Sequence, residues 1–272
     1  MIPIKKILIL LLNYKFMNFI KANTEDHIYH IMLDRGKSNA MHMEMIQELI
    51  EAIDYAASDP AVEGLILTGK EHFFTSGLDL ITLYSYDESQ IQDFWNSFIL
   101  LIKKLIAFPK PAVSAITGHS PAGGCVLALC CDYRIMAEGE FIIGLNEVPV
   151  GIIVPRNIFQ LYGFWIGQGN AYRSLLEGKL FKPTEALEIG LIDEVVPFNR
   201  IQHTALKKIK AFTQYEKNTW RSSKLNFRKE LIAEFSVDQT EVINQVLEQW
   251  WHPSTRSIMK TIIDNLTQKG AK

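Results

Sequence analysis

Gly118-His119-Ser120-Pro121-Ala122-Gly123-Gly124-Cys125-Val126, followed about twenty residues on by Asn146-Glu147-Val148-Pro149-Val150-Gly151, is the stretch on which the reading of this chain turns. The apolar run Pro111 to Thr117 predicts a buried strand leading into it. Ser120 then fits a helix N-cap and Pro121 the first helical position, with helix continuing from Leu127 to Tyr133. On this reading Gly123 lies in the first turn, where backbone N–H groups lack intrahelical partners and the helix dipole favours negative charge. With no side chain, Gly123 lets a ligand oxygen come close to its N–H, which describes half of an oxyanion hole. Glu147 stands among Ile142, Ile143, Leu145, Val148 and Val150. Desolvation there raises the pKa of a carboxylate toward the range useful for proton transfer.

Composition removes several classes of function. At 272 residues the chain can bury a substantial core, as one domain or one domain with an appendage. A net charge of −2 gives no electrostatic footprint for nucleic acid, and Lys207, Lys208 and Lys210 read as a solvated helix face. Cys125, Cys130 and Cys131 fall on one buried helical stretch with no zinc-ligand spacing. They read as small apolar residues of a reducing compartment, the cytoplasm or an organelle such as the mitochondrion. Near the start, Lys5-Lys6 precedes only six apolar residues, Ile7 to Leu12. A membrane span needs about 20. Residues 1–16 therefore read as a dispensable extension.

The rest of the chain alternates strands and helices, which predicts an α/β architecture. Phe19–Ala22 and His27–Leu33 read as a hairpin around Asn23–Asp26, and Met41–Ala57 as a helix. Gly64–Thr68 is a strand, and Ile91–Phe108 a long helix with Phe94, Phe98, Leu101 and Leu105 on one face. Tyr133–Ala137, Phe141–Ile143 and Asp193–Val196 read as strands; Asn157–Gly163, Ala171–Leu176, Pro183–Glu188 and everything after Gln202 read as helix. No internal repeat is visible.

Together with Phe73-Phe74-Thr75-Ser76-Gly77-Leu78-Asp79-Leu80 and Cys131-Asp132-Tyr133-Arg134-Ile135-Met136, the two opening strings resemble the crotonase (enoyl-CoA hydratase/isomerase) superfamily. The resemblance runs from about Met17 to Val196, and within the superfamily it is greatest to mitochondrial-type Δ3-Δ2-enoyl-CoA isomerases. It implies a spiral of β-β-α units over residues 17–200 and a C-terminal helical region over 201–272. It also implies an acyl-CoA substrate, no metal and no cofactor beyond the coenzyme A that the substrate carries. A homotrimer or dimer of trimers follows from it too. Leu78 N–H joins Gly123 N–H as the oxyanion hole, and Glu147 takes the family's acid/base position. In the hydratases of this family a second glutamate follows the oxyanion glycine by three positions; here that position is Val126. Adding water calls for two carboxylates, whereas one can move a proton from C2 to C4. The expected activity is therefore conversion of 3-enoyl-CoA to 2-enoyl-CoA. A hydratase or decarboxylase of the same superfamily and a non-catalytic acyl-CoA binder are the alternatives.

Three other readings fare worse. Gly118 to Ala122 nearly matches the α/β-hydrolase nucleophile elbow, but Pro121 has no N–H to supply the oxyanion contact that fold takes there. No phosphate-binding glycine loop is present. Trp220, Trp250 and Trp251 read as core or subunit-contact aromatics rather than a ligand cage, and His119 as a loop or packing histidine. A chain begun at Met17 should match the full chain in solubility and turnover; loss of either on truncation would show that residues 1–16 pack onto the domain.

Overall fold

A computed structural model describes residues 17–270. The expectation for residues 1–16 lies outside them. β1 (Ile20–Glu25) and β2 (Ile28–Leu33) form an antiparallel hairpin that pairs Ile20 with Leu33 and Glu25 with Ile28. The reversal falls on Asp26 and His27, at φ 46° and 65°, later than the Asn23–Asp26 loop expected. Two consecutive positive φ values suit the right-handed twist of a two-residue hairpin, which longer polar signals such as Asn23-Thr24 do not override.

The chain continues through α1 (Met43–Ser58), β3 (Gly64–Thr68), β4 (His72–Phe73), α2 (Leu80–Tyr84), α3 (Glu88–Ile106), β5 (Ala112–Ile116), β6 (Gly118–Pro121) and α4 (Gly123–Leu129). There follow β7 (Tyr133–Ala137), β8 (Ile143–Gly144), α5 (Arg156–Ile166), α6 (Gln168–Glu177), β9 (Leu180–Phe181), α7 (Pro183–Glu188) and β10 (Glu194–Val196). Helices α8 (Ile201–Thr213), α9 (Lys217–Phe227), α10 (Lys229–Glu234), α11 (Thr240–Trp251) and α12 (Pro253–Gly270) complete it.

A large sheet has the order β1-β2-β3-β5-β7-β10, and a small one the order β4-β6-β8-β9. From β2 to β10 the large sheet is parallel. Every residue of β3 and β5 is buried, as a parallel strand covered on both faces requires. Leu65 and Leu67 face the main core with α1 and α3, while Ile66 and Val113 face α8 through Ile201, Ala205 and Ile209. Passing from β3 to β4, from β5 to β6 and from β7 to β8, the chain steps from the large sheet to the small one, then into helix. This is the β-β-α spiral. It is a repeat of geometry without a repeat of sequence, because each turn meets different neighbours.

The segment after β5 differs from expectation. Gly118–Pro121 is a strand, not the head of a helix. It pairs with β4 through Gly118 and His119 and with β8 through Ser120 and Pro121. Ser120 caps nothing; its N–H donates to Ile142 O at 2.8 Å. Pro121 is tolerated because the adjacent ladder bond comes from Ala122 N–H to Gly144 O at 2.8 Å. The helix starts only at Gly123 and ends at Leu129, so Tyr133 opens β7 instead of closing α4. Tertiary pairing overrides the local capping signal. His119, accordingly, packs within β6 with its ring 5.2 Å from both Phe73 and Phe141.

The C-terminal helices are tied to the sheet by a buried ionic cluster. Asp132, at the start of the β7 turn, accepts from Ala112 N–H and Lys224 Nζ and pairs with Arg228 at 3.1 Å. Arg228 also donates to Ile106, Cys130 and Cys131 carbonyls. The side chains of Lys224 and Arg228 are each 5% exposed and that of Asp132 10%, so the charges have exchanged water for each other. Among the described residues no helix is long and apolar enough to cross a membrane. Asp132→Ala should strand two buried cations and lower stability by about 3–5 kcal/mol. Urea unfolding would check this, and a change below 1 kcal/mol would show that the cluster is dispensable.

Candidate functional site

Residues 75–79, 121–126 and 146–147 converge on one cavity of about 480 Å³. The first segment is fastened from behind. Asn39 is fully buried; its Nδ2 donates to the Phe74 carbonyl and its own carbonyl accepts from Thr75 Oγ1 at 2.7 Å. Thr75 Oγ1 in turn accepts from Gly77 N–H at 3.1 Å. Met41 bridges the loop in the parallel sense, its N–H donating to Gly77 O and its carbonyl accepting from Asp79 N–H, both at 2.8 Å. In that pattern the Leu78 N–H points away from Met41.

The second segment meets the first at van der Waals limits. Gly77 sits at φ +91°, and a Cβ there would stand 3.2 Å from Ala122 Cβ and 3.3 Å from the Gly123 nitrogen. A Cβ on Gly123 would stand 2.9 Å from Met41 Cε and 3.1 Å from Leu78 Cδ2. Glycine is thus favoured at Gly77 by its positive φ and by the backbone opposite, whereas a Cβ at Gly123 would meet the ends of the Met41 and Leu78 side chains. Ala122 carries the reversal between β6 and α4 at φ 50°, ψ −124°, a conformation unfavourable for a residue with a Cβ. Strain of this kind costs about 1–3 kcal/mol and persists only when the surroundings impose it. Among the described residues no acceptor takes the Leu78 or Gly123 N–H. The two donors lie on adjacent segments that both line the cavity.

Glu147 follows the short strand β8 and precedes a single 3-10 turn, Val148–Val150. Part of the residue reaches the cavity, yet its Oε2 is buried and has no hydrogen-bond partner. Burial pushes the carboxyl from 4.5 to about 7, a hydrogen bond from its own backbone N–H offsetting only part of the rise. Asp79, the other acid on the cavity wall, differs. Burial alone would raise it, but hydrogen bonds from Thr82 and Arg35, with the Arg35 charge, hold it below the ordinary value. Val126 lines the cavity one turn beyond Gly123 and brings no polar atom to it.

The four residues singled out from the sequence, Leu78, Gly123, Val126 and Glu147, therefore share one cavity. Other walls gave no sequence signal as such. Trp95 and Phe98 come from α3, Ile158 from α5, and Ile262 and Leu266 from α12. Periodicity marks these as buried faces but not as facing a cavity. Among the described residues, no group of His, Cys, Asp or Glu is arranged to hold a metal. Cys125, Cys130 and Cys131 are free thiols, each raised by burial.

The profile of the enoyl-CoA hydratase/isomerase family matches residues 23–262, and the chain belongs to that family. It is 39% identical over 169 residues to enoyl-CoA delta isomerase 1, mitochondrial, of Mus musculus, covering 61% of this chain and 58% of that protein. To the Homo sapiens protein of the same name it is 36% identical over 193 residues, covering 70% of this chain and 64% of that one. Aligned stretches thus span less than two thirds of these relatives. In three dimensions the chain superposes on the crystal structure of human mitochondrial Δ3-Δ2-enoyl-CoA isomerase with a TM-score of 0.89 at 28% identity, over 93% of this chain and 99% of that one.

The environment of Glu147 has a measurable consequence for stability. A carboxyl that titrates at 4.5 when unfolded and at about 7 when folded holds its proton more tightly in the native state. That contribution is complete below pH 4.5 and is lost as pH rises through 7, at about 1.4 kcal/mol per unit. Glu147→Gln removes the titration. The variant should be more stable than wild type at pH 8, by up to about 3 kcal/mol, with the difference closing toward pH 4.5. Melting curves across this range test it; a difference independent of pH would mean that the carboxyl is not desolvated.

Proposed function

We propose that this member of the enoyl-CoA hydratase/isomerase family converts 3-enoyl-CoA thioesters to 2-enoyl-CoA thioesters. The observation that carries the reading is one carboxyl, Glu147, whose buried Oε2 has no hydrogen-bond partner, lining the same largely apolar cavity as two N–H donors that take no acceptor among the described residues. The thioester oxygen lies against the N–H groups of Leu78 and Gly123. Glu147 takes a proton from C2. The electrons pass into the conjugated system, and the dienolate oxygen carries the charge between the two donors. Such preorganised donors are worth about 3–4 kcal/mol each when removed in enzymes of other folds. Glu147 then returns the proton to C4, and the double bond stands between C2 and C3. No atom is gained or lost. A carboxyl of pKa about 7 suits both halves of this transfer at neutral pH, since it is neither strongly acidic nor too weak to give the proton back.

Hydration requires more. A water at C3 needs a second acid to hold and ionise it, and Val126 offers none, while Asp79 is engaged with Arg35 and Thr82. Decarboxylation would use the two N–H donors without a proton abstractor and would leave Glu147 unexplained. The trimer implied by the family resemblance is part of the same proposal. Tyr172 and Leu176 on α6 keep apolar surface exposed at 60% and 55%, as a subunit contact would.

Glu147→Gln should lower kcat for 3-enoyl-CoA by about 10²–10⁴-fold while acyl-CoA affinity stays within a few-fold. Wild-type kcat/KM should fall as pH drops below about 7, where Glu147 becomes protonated. Purified protein supplied with 3-enoyl-, 2-enoyl- and malonyl-type CoA in parallel decides among the reactions. Preferential consumption of 2-enoyl-CoA with water addition would replace the isomerase reading by a hydratase. Unimpaired turnover by the Gln variant would remove Glu147 from the mechanism.

A further inference from the structure

Behind one wall of the cavity lies a second, much smaller void of about 20 Å³. Its lining is wholly apolar. Trp95, Phe98, Pro155 and Ile158 line both spaces, so a single layer of side chains separates them. The far side of the void is closed by Ile99 and Ile102 of α3 and by Val242, Ile243 and Val246 of α11. Most buried side chains have packed atoms on all sides. These four have open space on two sides.

Trp95 is the rigid part of the layer. It is 7% exposed, lies edge-on to Phe98 at 6.2 Å and to Trp250 at 6.4 Å, and its Nε1 finds no acceptor. Trp250 is itself buried, at 1% exposure, so Trp95 cannot swing back without displacing the core of α11. Phe98 is the part nearest the chemistry: its Cζ lies 3.5 Å from the position of a Cβ on Gly123. Ile158, from α5, completes the layer without approaching Gly123 that closely.

We propose that Trp95 and Ile158 form the floor of the acyl-chain channel and set the longest chain the cavity accepts, the void behind them being the space that would open if the floor were trimmed. This inference rests on the acyl-CoA reading of the site. An acyl chain whose thioester is held at Leu78 and Gly123 runs along the apolar walls until it meets the floor. Each methylene buried before that point contributes about fourfold in affinity; a methylene beyond it has nowhere to go.

Binding of saturated acyl-CoAs of increasing length, measured by calorimetry, gives a readout that needs no turnover. Wild type should gain about fourfold per methylene up to a break and then level or fall. Ile158→Ala and Trp95→Leu should move the break to longer chains. Ile99→Ala serves as the control. It enlarges the void without thinning the floor, and should leave the break in place. Should Ile158→Ala fail to fold, Ile158→Val should still give a smaller shift in the same direction. A break at the wild-type length in folded floor variants would overturn the proposal, as would an equal shift in Ile99→Ala. Wild-type binding with a clear break but no isomerisation would leave the floor standing and remove the isomerase reading. No acyl-CoA binding at any length would remove both.

Discussion

Two backbone segments, residues 75–78 and 121–124, pass so close that a Cβ on Gly77 would press on the second, 3.1 Å from the Pro121 carbonyl oxygen and 3.3 Å from the Gly123 nitrogen. The rest of the structure serves this approach. On one side the loop is fixed by Asn39, Thr75 and Met41, which consume its other polar groups. On the other, β6 is held between β4 and β8, and the reversal at Ala122 turns the chain directly into α4. Among the described residues, the Leu78 and Gly123 N–H groups that face the cavity take no acceptor. Loosening either side would let water or a carbonyl take those donors, and the strained conformation at Ala122 would relax.

The large-sheet strands were readable because burial on both faces leaves a continuous apolar run: Gly64–Thr68, Tyr133–Ala137 and the neighbourhood of Ala112–Ile116 declare themselves. Of the small sheet, only Phe141–Ile143 was read as a strand, and it overlaps β8 at Ile143 alone. β4, β8 and β9 have two residues each, too short for any periodicity, and exist because a neighbouring strand supplies the hydrogen bonds. Ser120-Pro121 shows the limit most clearly. Locally it is a good helix start, but two flanking strands compete for the same backbone groups and prevail. The site divides along the same line. Gly123 and Glu147 could be read from their own strings, a glycine beside a predicted helix start and an acid among apolar residues, whereas Leu78 and Val126 were picked out by the family resemblance of the strings they sit in. Trp95, Ile158 and Leu266 line the cavity only because three helices distant in sequence meet there, and an amphipathic pattern says that a face is buried without saying what it faces.

The carboxylates of the chain fall into two environments. Asp132 is neutralised by Lys224 and Arg228, Asp79 by Arg35, and Asp193 by the buried guanidinium of Arg134. Each ties together elements far apart in sequence. Glu147 is buried as deeply at its Oε2 and has no such partner. In stability terms this is a defect above neutral pH, since the ionised form is desolvated without compensation. A cation beside Glu147 would cure the defect and lower the carboxyl below the range in which it can return a proton.

Val126 completes this logic. A glutamate there would bring a second carboxylate into the same apolar cavity. Two such groups titrate as a pair, each raising the pKa of the other, and the proton would be shared rather than carried by one residue. That arrangement suits holding a water between two acids. With valine, Glu147 has no second carboxylate at this position to share a proton with, and Asp79, the other acid on the wall, is held by Arg35 and Thr82. In the proposed isomerisation, the residue that brings no polar atom therefore matters as much as the one proposed to move the proton.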